Sequence, residues 1–226
     1  MLYFPAILQT LIWIPTRIIF FLLVRLKIID QDKAEKEDPG VIFVANHRSQ
    51  LDPIFIRACL PMFSRHRGIF YVSLTKKNYK HHKFGRFFYG GLFFKFWGAY
   101  PVYKGLNNYH LAFMHHIDIL KSGRSVVIFP EGGVTKTDER GTARPGIIHL
   151  AQITGAKIIP VKLDGTFHLS IKNFFLKQKP ITVSFGESLS LSELTKDLKL
   201  KLDNEENYRL VASNILDRVM VLPGLD

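Results

Sequence analysis

Val41-Ile42-Phe43-Val44-Ala45-Asn46-His47-Arg48-Ser49-Gln50-Leu51-Asp52-Pro53 is the stretch from which the fold can be read. Five consecutive apolar residues, β-branched or aromatic except for the last, suit a strand covered on both faces, and such strands belong to parallel or mixed sheets flanked by helices. A histidine and a carboxylate then stand together at the mouth of that strand. Imidazole takes up a proton near neutral pH, and a nearby carboxylate can hold its tautomer and stabilise the imidazolium as it forms. Asp52 and Pro53, followed by Ile54-Phe55-Ile56-Arg57-Ala58-Cys59-Leu60, read as an N-cap, a proline at the first helical position and a short helix. An isolated H-x-x-x-x-D is also compatible with a cap and an unrelated loop histidine.

Three further segments follow in order: Trp97-Gly98-Ala99-Tyr100-Pro101-Val102-Tyr103-Lys104-Gly105, then Val126-Val127-Ile128-Phe129-Pro130-Glu131-Gly132-Gly133, then Ile158-Ile159-Pro160-Val161. With His47 and Asp52 they resemble the four-block pattern of the glycerolipid acyltransferases typified by 1-acylglycerol-3-phosphate acyltransferases, across roughly Val41 to Gly165. The resemblance implies that His47 is the general base that deprotonates an acceptor hydroxyl and that Asp52 supports it. It also implies that Glu131, with Gly132 and Gly133, contributes to acceptor binding. Arg144-Pro145-Gly146 resembles the basic element that follows the third block and places Arg144 near an anionic headgroup. The chain departs from the pattern twice. Its second block ends in Tyr103-Lys104 where the family commonly has an acid and an arginine, and Val134 stands where the third block commonly has arginine. Arginine offers a planar fork to phosphate and lysine only a point charge, so Lys104 and Arg144 remain as the cations for a headgroup.

Composition constrains the partners. The chain has 226 residues, 47% hydrophobic, and a formal net charge of +12. No Asp or Glu occurs between Pro53 and Ile117, whereas Arg57, Arg65, Arg67, Lys76, Lys77, Lys80, Lys83, Arg86, Lys95 and Lys104 fall there, interleaved with aromatic residues. Aromatic side chains favour the water–lipid boundary, and each basic residue contributes ~1 kcal/mol near an anionic leaflet. A basic aromatic surface would also suit nucleic acid, but no nucleic-acid motif is present and an apolar leader has no role there. From Met1 to Val24 the sole charge is Arg17. About twenty apolar residues can cross a bilayer, yet Pro5, Pro15 and Arg17 favour a bent, shallowly inserted or interfacial arrangement; a buried core helix is the competing reading.

The lone cysteine, Cys59, lies in an apolar helical run and reads as a buried structural thiol. His81-His82 and the group His110, His115 and His116 lack the i,i+4 spacing and accompanying carboxylates of a metal site, and no phosphate-cradling or dinucleotide motif occurs. No metal or cofactor is expected.

Strands are predicted at Val41 to Ala45, Ile69 to Ser73, Ser125 to Phe129, Ile158 to Leu163 and Ile181 to Phe185, with helices over Tyr109 to Lys121 and Pro145 to Thr154. The expected fold is α/β, a mixed sheet flanked by helices, with an N-terminal apolar membrane-associating helical segment. Residues 1–29 are expected to form the leader, 30–40 a connector and 41–226 the acyltransferase domain. The function implied by the resemblance is transfer of a fatty acyl group from acyl-CoA or acyl carrier protein to a lysolipid hydroxyl, with 1-acylglycerol-3-phosphate the leading acceptor, in phospholipid biosynthesis. A different lysolipid acceptor, a membrane ester or thioester hydrolase and a non-enzymatic lipid-binding protein are the alternatives. An anionic membrane, at the cytoplasmic face of the cell membrane, is the expected location, with no nucleic-acid partner.

Overall fold

The computed structural model describes residues 3–74, 96–103, 106, 108–135, 137, 139–167, 169 and 180–225. Its described strands are β1 (Arg25–Ile29), β2 (Ile42–Ala45), β3 (Phe70–Leu74), β4 (Ala99–Val102), β5 (Val126–Ile128), β6 (Ile158–Asp164) and β7 (Pro180–Phe185). They form one sheet in the order β1-β7-β6-β2-β5-β3-β4. Every neighbouring pair is parallel except β6 and β7. The mixed α/β architecture expected from the sequence is therefore the one observed.

Side chains alternate across β2 and sort the core into two layers, as the two-residue strand period requires. Val41, Phe43 and Ala45 face one layer with Val127, Val161 and Phe185. There α2 (Trp13–Leu23) and α4 (Asp52–Cys59) cover the sheet through Phe20, Phe55 and Ile56. Ile42 and Val44 face the opposite layer with Val126 and Ile158. That layer is closed by α6 (Met114–Lys121), α7 (Gly146–Thr154), α8 (Leu191–Asp197) and α9 (Glu205–Met220). Ile42, Phe43, Val44 and Ala45 are fully buried, which is why β2 reads as a continuous apolar run rather than an alternating one.

Three segments gain detail from the structure. Residues 25–29, placed in the leader by the sequence, are the edge strand β1, paired in parallel with β7 from Arg25↔Pro180 to Ile29↔Ser184. The alternation of Arg25, Lys27 and apolar residues fits an edge, but it adjoins an apolar helix that masks it. The connector holds a short helix, α3 (Gln31–Glu35). The helix expected over 109–121 is two pieces, α5 (Tyr109–Ala112) and α6, with Phe113 between them.

The leader forms α1 (Phe4–Leu11) and α2, bent by 41°. No single described helix is long and apolar enough to cross a membrane, although the bent pair has the length and composition for it. Both helices dock on the domain. The Gln9 amide donates to the carbonyls of Ile69 (2.9 Å) and Trp97 (2.7 Å) and accepts from the Ile69 N–H at 3.1 Å. Trp13 Nε1 donates to the Leu60 carbonyl at 2.9 Å, and Phe20 stacks on Phe55 at 4.3 Å. The outer face stays apolar and exposed at Ile7, Leu11, Ile18, Phe21 and Leu22.

The basic stretch divides as well. Arg57 is buried, not a surface cation. Its guanidinium donates to the Pro61 and Met62 carbonyls, and burial lowers its pKa. Arg65 and Arg67 are exposed, while Lys76, Lys77, Lys80, Lys83, Arg86, Lys95 and Lys104 lie outside the described residues. Cys59 is buried as expected, and burial pushes its thiol up to about 12, far from a reactive thiolate.

Candidate active site

β2 and β5 lie side by side and parallel, so both chains leave the sheet at the same end. That end is where open α/β sheets hold their ligands. β2 runs into Asn46, whose side-chain amide donates to the Leu163 carbonyl and accepts from the Leu163 N–H, each at 2.8 Å. This pair fixes the path of the chain beside β6. His47 follows, its ring stacked 4.0 Å from Phe129, the residue just beyond β5.

His47 Nδ1 lies 2.9 Å from Asp52 Oδ2. An ionised carboxylate only accepts hydrogen bonds, so Nδ1 carries the proton and Nε2 keeps its lone pair. Asp52 Oδ2 also accepts from the N–H groups of Arg48 (2.7 Å) and Ser49 (2.8 Å). The expectation that Asp52 caps the helix is corrected. It is the first residue of α4, after Leu51, and its carboxylate turns back into the 47–49 loop instead of onto the helix's N–H groups. Asp52 is fully buried, and Oδ1 has no protein partner among the described residues. The carboxylate, held by two N–H donors, fixes the orientation of the imidazole.

The second loop begins at Glu131. Its Oε1 accepts from the His47 N–H at 2.9 Å, and its Oε2 accepts from the Gly141 N–H at 3.2 Å. Gly132 takes φ +74°, and a Cβ there would lie 2.3 Å from Arg144 Nε, so the glycine allows the guanidinium to lie across the loop backbone. Arg144 is anchored through its own N–H to the Pro130 carbonyl at 2.8 Å. Together Glu131, Gly132, Gly133, Val134, Thr135, Gly141, Thr142 and Arg144 line an open cleft of about 410 Å³.

The structure thus unites His47 with Asp52 and gathers Glu131, Gly132, Gly133 and Arg144 in one adjoining cleft. Lys104 lies outside the described residues. Sequence reasoning passed over Asn46, Phe129 and Thr135. Thr135 donates to the His47 carbonyl from both its N–H (2.9 Å) and its Oγ1 (3.1 Å). Nothing in a single sequence flags such a partner, because the contact joins residues far apart in the chain.

Residues 25–164, from the start of β1 to the end of β6, match the family described as Acyltransferase. A 1-acyl-sn-glycerol-3-phosphate acyltransferase of Streptococcus pneumoniae is 25% identical over 185 residues, 81% of this chain and 61% of that protein. One of Borreliella burgdorferi is 31% identical over 104 residues, 46% of this chain and 38% of that protein. This chain therefore spans less than two thirds of the length of either relative. The crystal structure of the 1-acyl-sn-glycerophosphate acyltransferase PlsC of Thermotoga maritima superposes with a TM-score of 0.63 at 16% identity, covering 93% of this chain and 79% of that one, and so shares the fold. Since the family match takes in more than half of the chain and both blocks that carry the histidine and the glutamate, the protein belongs to the Acyltransferase family.

Proposed function

We propose that the protein transfers a fatty acyl group from a thioester, acyl-CoA or acyl carrier protein, to the free hydroxyl of 1-acylglycerol-3-phosphate at a membrane surface, as a step of phospholipid biosynthesis. The observation that carries this reading is the 2.9 Å contact between His47 Nδ1 and the fully buried Asp52 carboxylate beside a cleft that holds Arg144. His47 Nε2 takes the hydroxyl proton as the acceptor oxygen attacks the thioester carbonyl. The tetrahedral intermediate expels the thiolate, which takes that proton back from the imidazolium, leaving an ester and a free thiol. No covalent enzyme intermediate is needed. Asp52 holds the ring and favours its charged form.

Arg144, with Lys104, supplies positive charge for the acceptor phosphate. The glycines at 132 and 133 let the headgroup approach the backbone. The exposed apolar face of α1 and α2, with Arg25 and Lys27 on the adjoining β1, supports docking on an anionic leaflet. The cytoplasmic face is the proposed side, because donor thioesters are made there.

The test is a screen of lysolipids with radiolabelled acyl-CoA and acyl carrier protein, read as lipid product. Label in phosphatidic acid supports the proposal and identifies the donor. Label released as free fatty acid marks a hydrolase, and label in a different phospholipid reassigns the acceptor.

A further inference from the structure

The backbone of His47 is held on both sides by one loop. Its N–H donates to Glu131 Oε1 at 2.9 Å, and its carbonyl accepts from the Thr135 N–H at 2.9 Å and from Thr135 Oγ1 at 3.1 Å. A further strut joins the same two loops, from Arg48 Nη1 to the Thr137 carbonyl at 3.0 Å. Both oxygens of Glu131 are engaged by backbone, since the other accepts from the Gly141 N–H. The same residues, Glu131 and Thr135, line the cleft that takes the acceptor in the reading above.

We propose that Glu131 and Thr135 are positioning residues that clamp His47 through its backbone, so that the wall of the acceptor cleft and the placement of the catalytic ring form one unit. This rests on the acyl-transfer reading only for its kinetic consequence; the clamp itself is a matter of geometry. Asp52 fixes the rotation of the ring, whereas Glu131 and Thr135 fix where the ring's Cα stands. A general base works only within hydrogen-bond reach of the proton it removes, and small displacements are costly. An acceptor seated against residues 131–135 thereby meets the His47 ring at a position that the same loop sets.

The test uses the full-length chain and three variants: Thr135→Val, which removes the hydroxyl but keeps the shape and the N–H bond, Thr135→Ser, which restores the hydroxyl, and Glu131→Gln, which sets an amide donor against one of the two N–H groups. With lysophosphatidic acid and the donor identified by screening, Thr135→Val should lower kcat by about 3- to 10-fold, in keeping with one lost hydrogen bond. Thr135→Ser should return kcat to within about twofold, and Glu131→Gln should lower it by about 10- to 100-fold as a charge-assisted bond is lost. Acceptor KM should stay within about twofold throughout. A rise in acceptor KM with kcat unchanged would make these residues acceptor ligands and overturn the clamp.

A second readout does not depend on turnover. In ¹⁵N-histidine spectra, with the His47 signals assigned by their loss in His47→Ala, Thr135→Val should shift the His47 ring resonances and Thr135→Ser should restore them. Static ring signals in Thr135→Val and Glu131→Gln overturn the clamp whatever the activity. If the ring signals move as described but the wild-type protein transfers no acyl group, the clamp stands and the acyl-transfer reading fails.

Discussion

At the scale of single residues, Gly132 is informative. Its φ of +74° suits glycine, and an added Cβ would fall 2.3 Å from Arg144 Nε. Gly132→Ala costs roughly 1–2 kcal/mol in backbone strain and drives the guanidinium off the loop. We expect acceptor KM to rise several-fold while donor KM is unchanged, because only one substrate meets Arg144; initial-rate kinetics with each substrate varied in turn will show it. An equal effect on both would remove Arg144 from the acceptor site. His47 and Asp52 could be read from the sequence because they are five residues apart, across a single tight loop. The partners of Glu131 could not, since the bond to the His47 N–H bridges 84 positions and a glutamate followed by two glycines looks alike whether it faces substrate or backbone. Arg57 misled for a related reason: its charge suggests a surface, whereas its carbonyl partners, Pro61 and Met62, become available only after α4 ends.

At the scale of elements, strands buried on both faces declared themselves. β2, β3, β5, β6 and β7 are short runs of branched and aromatic residues bounded by polar or turn-forming residues, and the predicted limits fall within a residue or so of those observed. β4 went unpredicted; it is a four-residue strand at the sheet edge, with Pro101 inside it. α9 carries a clear helical stripe of Tyr208, Val211, Ala212, Ile215, Leu216 and Val219, with Asn204 as its N-cap, so its signal was present and unused. The leader shows a different limit. Its composition points to lipid, but its inner face belongs to the protein, tied by Gln9 to Ile69 and Trp97. Gln9→Leu keeps the apolar volume yet strands buried N–H and C=O groups, at about 1–3 kcal/mol each when unsatisfied. With three such groups the cost is about 3–9 kcal/mol, and we expect Tm to fall by at least roughly 6 °C, at about 2–4 °C per kcal/mol for a chain of this size. An unchanged Tm would mean that α1 is an independent appendage.

At the scale of the whole molecule, a single sheet sets the geometry. Because β2, β5 and β6 run parallel, the loops bearing His47 and Glu131 emerge at one end, while helices close both faces and bury the thiol of Cys59 and the carboxylate of Asp52. The bent pair α1–α2 turns an apolar surface outward from this body. His47, at the centre of that end of the sheet, is the proposed base of the acyl transfer. The most direct measurement is the rate of phosphatidic acid formation from lysophosphatidic acid and a labelled acyl thioester by wild-type and His47→Ala proteins, with matched circular dichroism spectra and melting curves. Loss of a general base predicts a fall of about 10²- to 10⁴-fold in kcat with the fold unchanged. Turnover by folded His47→Ala within about twofold of wild type would contradict it.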